Sequence, residues 1–140
     1  MSLWPQLAAS AALVGVNATI HAVGVVIITR TLHLDGDKLR AHRVDHSAVA
    51  LSVVMALMLF ALHLIEIGTF AGFYLAVGAI HALEPALFYS ASAYTTLGTP
   101  GPNFPHDWRL VGAIEGLVGF LLIGWSTGVF ISDMNKLLRE

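Results

Sequence analysis

Three long apolar stretches dominate the chain, at residues 7–28, 47–67 and 110–131. Each is long enough to cross a bilayer, because a helix rises about 1.5 Å per residue and a hydrocarbon core is about 30 Å thick. The pattern therefore predicts three spanning helices. Asn17, Thr19 and His21 interrupt the first, so one of its faces is expected to meet protein rather than lipid. A polar connector, RTLHLDGDKLRAHRVD, joins the first two, and its Asp35-Gly36-Asp37 reads as a turn.

The segment 68–109 decides the architecture. Glu84-Pro85 marks a helix start, since proline suits the first helical position and an acid suits the N-terminal dipole. A helix over 85–95 is too short to cross, and Gly98, Pro100, Gly101 and Pro102 stop it. Either residues 69–95 make a fourth span, or the short helix enters the membrane and returns to the same side. Basic residues favour the cytoplasmic side. With a re-entrant loop, Arg30, Lys38, Arg40, Arg43, Lys136 and Arg139 share one side and only Arg109 faces the other. Four spans would move Lys136 and Arg139 across, so the re-entrant topology is favoured. It places the N-terminus outside, the C-terminus in the cytoplasm, and Trp4 and Trp108 at the outer interface, where indole rings prefer to sit.

Composition agrees with a multi-pass protein of the cell membrane. The 140 residues are 56% hydrophobic and 11% charged, with a mean hydropathy of +0.76. Soluble domains are about 45–50% apolar and about 25% charged. A net charge of −2 gives no reason to expect a nucleic-acid partner. The chain has no cysteine, which excludes disulfides and thiolate chemistry. No nucleophile–base–acid triad, phosphate loop or zinc-spaced cluster is present, so no enzyme and no bound cofactor are expected.

One constellation points to a function. ALFYSASAYTTLG, a short loop, then WRLVGAIEGLVGFLLIGWSTGVF resembles the pore module of tetrameric potassium channels, in particular small bacterial members of the two-transmembrane ion-channel superfamily. The resemblance covers roughly residues 45–134. It implies a pore domain at 45–140, with the N-terminal helix and basic connector at 1–44 lying outside the minimal pore module. It also implies an outer helix at 47–67, a pore helix at 85–95, a filter from Thr95 and an inner helix at 110–131. The family's filter reads TTxGYGD, and four chains aim its carbonyls at a central axis to replace an ion's hydration shell. Thr95-Thr96-Leu97-Gly98 matches the first four positions. Thr99 then stands where tyrosine is expected, Pro100 where the second glycine is, and Gly101 where the aspartate is.

That departure has physical consequences. Proline has φ fixed near −65° and no N–H to donate, and it pushes the preceding residue towards extended geometry. The outer half of the filter therefore cannot copy the usual conformation. The inner half, Thr95 to Gly98, can still present carbonyl rings in a homotetramer. The expectation is a shortened, weakly selective pathway for K⁺ or Na⁺, with Thr95, Thr96, Leu97, Gly98 and Thr99 as ion-pathway residues. A closed plug formed by Pro100, Pro102 and Pro105, or a non-conducting scaffold or accessory subunit, is the alternative.

Other residues are weighed beside these. Glu115 lies within the third apolar stretch, as an acid behind the filter, in a ring facing the pore, or, the reading favoured, as a protonated or hydrogen-bonded carboxyl packed against the pore helix. Gly119 occupies the position at which the family's inner helix bends. Gly112, Gly116, Gly124 and Gly128 are expected to serve close helix packing. His63 and Glu66 share a helix face. With no third ligand nearby on that helix, buried hydrogen bonds to a neighbour are expected of them, and likewise of His21. His33, His42, His46, His81 and His106 fall in or near aqueous segments.

Overall fold

The computed structural model describes residues 3–39, 45–98 and 106–139. They form four α-helices, α1 (Leu3–Leu39), α2 (Asp45–Ala76), α3 (Leu83–Tyr94) and α4 (Arg109–Arg139), with one 3₁₀ turn at His106–Trp108 before α4. Three stretches are long and apolar enough to span a membrane: Leu3–Leu32, Val49–Ala76 and Arg109–Asn135. The chain is thus an all-helical, multi-pass membrane protein with a short fourth helix set between its last two spans.

Side-chain contacts set the relative directions of the long helices. The Leu110 N–H donates to Gln6 Oε1 at 3.2 Å, placing the starts of α1 and α4 together. Ser52 Oγ lies 2.8 Å from Met134 Sδ, placing the start of α2 beside the end of α4. The chain therefore runs one way in α1, back in α2 and forward again in α4. A turn at Val77–Gly78, with Gly78 at φ +67°, leads out of α2.

The helices are longer than the apolar pattern suggests. α1 continues through Asp35-Gly36-Asp37, which the sequence reads as a turn, and α2 runs nine residues past Ile67. Long helices carry their hydrogen-bond ladder beyond the apolar window, so hydropathy locates the membrane rather than the helix end. The short helix begins at Leu83, two residues before Pro85, with Glu84 in its first turn. Proline is tolerated there because N–H groups of the first turn have no intrahelical partner.

Two apolar cores lie along the bundle. One gathers Phe70, Tyr74, Ala79, Tyr89, Ala93 and Val111, where α3 packs between α2 and α4. Aromatic edges tighten it, with Tyr74 against Tyr89 and Phe73 against Trp108, each pair at 5.0 Å between centroids. The other core gathers Val25, Ile28, Leu32, Met55, Leu59 and Leu62 from α1 and α2. Between them sits a layer of buried polar side chains.

Candidate functional site

The polar layer is built by four helices. On α1, Asn17 and His21 are four residues apart, so they share one face. Both are fully buried. On α2, His63, Glu66 and Thr69 recur at three-residue spacing and face α1. Thr69 Oγ1 lies 2.9 Å from Asn17 Oδ1 and 2.6 Å from the Glu66 carbonyl. His21 Nδ1 lies 2.8 Å from Glu66 Oε1, and His63 Nδ1 lies 2.9 Å from Glu66 Oε2. α3 delivers Tyr94, whose hydroxyl donates a short hydrogen bond to Glu66 Oε2 and sits 2.9 Å from His63 Nδ1. α4 closes the layer with Ser126 Oγ, 3.5 Å from His21 Nε2, and with the Trp125 ring, 5.1 Å from the His21 ring. A single carboxylate therefore gathers two imidazoles and a phenol.

A second buried acid, Glu115, anchors the other side of α3. Tyr74 Oη donates to Glu115 Oε2 at 2.7 Å, and Ser90 Oγ makes a short hydrogen bond to Oε1. Ser90 Oγ also lies 2.8 Å from the Ile67 carbonyl. Glu115 is fully buried. Its carboxyl is held between α2 and α3 by these two hydroxyls.

Glycines bring α4 onto α3. A Cβ at Gly119 would overlap the Tyr94 carbonyl, and one at Gly112 would overlap the Tyr89 hydroxyl. A Cβ at Gly116 would lie 3.0 Å from the Ala93 carbonyl. Gly124 and Gly128 have open space beside them. Gly112, Gly116 and Gly119 thus lie in the close contact between α3 and α4, while Gly124 and Gly128 take no part in it. Gly119 is ten residues into α4 and Glu66 ten before the end of α2. The C-terminal end of α3, touching both, therefore lies about 15 Å along each helix from the end where α3 begins.

Past Tyr94 the chain closes α3 and turns. Thr95 N–H and Thr95 Oγ1 both donate to the Ala91 carbonyl, at 3.0 and 2.7 Å. Thr96 N–H reaches the Ala93 carbonyl and Leu97 N–H the Ser92 carbonyl, at 3.0 and 3.1 Å. This is the Schellman pattern that satisfies the last carbonyls of a helix. It requires a left-handed residue, usually glycine, yet here that residue is Thr96 at φ +59°. A β-branched residue in this region is a true outlier, and such strain gathers where function holds it. Gly98 follows at φ +117°, and Leu97 is 85% exposed. Thr96 and Gly98 line an open groove with Ala113, Gly116, Leu117 and Phe120 of α4. Thr99 and the prolines at 100, 102 and 105 lie outside the described residues.

The structure thus brings His21 to the His63–Glu66 pair, the third partner that reading along α2 alone misses. It adds Tyr94, Tyr74 and Ser90, which the sequence does not single out. The available signal was the polar spacing on α1, where Asn17 and His21 mark one buried stripe. No known protein family, characterised protein or solved structure matches the chain.

Proposed function

We propose that this chain is a homotetrameric, cation-channel-like protein of the cell membrane, with a shortened and weakly selective filter at Thr95–Gly98. The observation that carries the reading is the depth at which α3 ends. A 12-residue helix rises only about 18 Å, too little to cross the bilayer. Its last residue nonetheless meets Glu66 and Gly119, well inside the two flanking spans. α3 then acts as a pore helix that enters the membrane and ends there.

The irregular backbone at Thr95–Gly98 follows at that depth. Non-helical backbone inside a bilayer must be covered by protein or line a wet cavity. Leu97 is exposed on this single chain and the groove beside Thr96 and Gly98 is open, which argues for cover by neighbouring copies. A fourfold arrangement would surround an axis with the carbonyls of Thr95 to Gly98, through which K⁺ or Na⁺ would pass. The N-terminus would lie outside and the C-terminus in the cytoplasm.

Two measurements test this reading. Native mass spectrometry in detergent should count four subunits, and one or two would end the proposal. Flux into liposomes should then pass both K⁺ and Na⁺. Strict preference for K⁺ would overturn the weakly selective filter, and absence of flux would favour a non-conducting scaffold.

A further inference from the structure

We propose that His21, His63 and Glu66, with the Tyr94 oxygen as fourth donor, form a binding site for a divalent transition-metal ion of the zinc type. The inference does not depend on ion conduction. The donor atoms of His21, His63 and Glu66 all lie within 4.8 Å of one another. Donors around a tetrahedral zinc ion at about 2.0–2.1 Å sit about 3.3 Å apart. The observed separations of 2.8 and 2.9 Å from the two Nδ1 atoms to Glu66 need only a small outward movement. Imidazole nitrogens with a carboxylate oxygen suit ions of this class.

The Glu66 carboxylate would offset part of the ion's charge, which matters because a net charge at membrane depth is costly. Each imidazole would bind through Nδ1 and keep its own proton on Nε2. Metal-bound histidines commonly donate that outer proton to a fixed partner, and Ser126 Oγ stands 3.5 Å from His21 Nε2. His63 reaches the surface of the chain, its side chain being 16% exposed, while those of His21 and Glu66 are fully covered. The ion would join α1, α2 and α3 at one point.

The test uses full-length protein in detergent, stripped with chelator, loaded with Zn²⁺ and desalted. Elemental analysis should find one ion per chain. In the stripped protein, Co²⁺ should give the intense visible bands of four-coordination. His21→Ala and Glu66→Gln should weaken retention by about tenfold or more. His33, His42 and His46 could hold metal elsewhere, so a variant with all three replaced by alanine should retain the ion. Zn²⁺ should also raise the melting temperature of the wild type, as any ligand of the folded state does, and leave that of Glu66→Gln unmoved. The proposal fails if the wild type retains no ion or gives only the weak Co²⁺ spectrum of loose surface binding. It fails equally if Glu66→Gln retains the ion, or if the three-histidine variant loses it. The Co²⁺ spectrum needs no variant, so a misfolded mutant cannot shelter the idea.

Discussion

Gly119 has no room for a methyl group, because the Tyr94 carbonyl occupies that space. Gly119→Ala must push α3 away from α4 and should cost about 1–3 kcal/mol, the usual range for overpacking. Gly124→Ala, with nothing beside it, should leave the melting temperature in detergent unchanged or slightly raised, since alanine favours helix. Equal effects at the two positions would contradict the packing described. At Glu115, both oxygens accept hydrogen bonds from buried hydroxyls. Glu115→Gln puts an amide where one acceptor was, so it should lower stability by about 1–3 kcal/mol. If the tetramer conducts, unit conductance should stay the same, because the side chain faces the helices behind α3. A conductance change without loss of stability would favour an acidic ring in the pore.

At the scale of elements, α3 is held at its foot by Tyr94 and at its middle by Ser90. Tyr94→Phe keeps the ring and removes the donor to Glu66. It should release the end of α3, speeding amide hydrogen exchange at Thr95, Thr96 and Leu97 while leaving the start of α4 protected. Uniform loss of protection would mean that the whole bundle loosens instead. The existence and place of each helix were legible from hydropathy and from the Glu84-Pro85 and Gly98 signals. Their ends were not. Asp35-Gly36-Asp37 carries turn residues, yet α1 runs through it. Turn propensity is a local preference worth about 1 kcal/mol per residue, and the hydrogen-bond ladder of a long helix outweighs it.

For the whole molecule, one open apolar surface among the described residues is the groove where α3 ends, with Leu117 and Phe120 of α4 exposed beside it. The chain has no cysteine, so single cysteines report contacts cleanly. Leu117→Cys is expected to cross-link copies within the membrane, whereas Phe60→Cys, exposed on α2, should not if that face meets lipid. The reverse result would place the subunit interface on α2. The histidine–glutamate layer was only half legible in the sequence for a physical reason. His63 and Glu66 are neighbours on one helix, which spacing reveals. His21 reaches them across 45 positions of chain, and only packing brings that about.

That same layer bears on how the chain enters the membrane during synthesis. An unpaired polar residue near the centre of an apolar helix opposes insertion. The partners of Asn17 and His21 are Thr69 and Glu66, on the very next helix, so α1 and α2 can partition into lipid together as a hairpin with these needs already met. Glu115 differs, because Ser90 and Tyr74 must both be in place to receive it. A ribosome-bound chain ending before α4 would therefore already hold the residues of the His21–Glu66 and Asn17–Thr69 contacts. α4 would be the step that waits, entering against a surface that α2 and α3 must first complete.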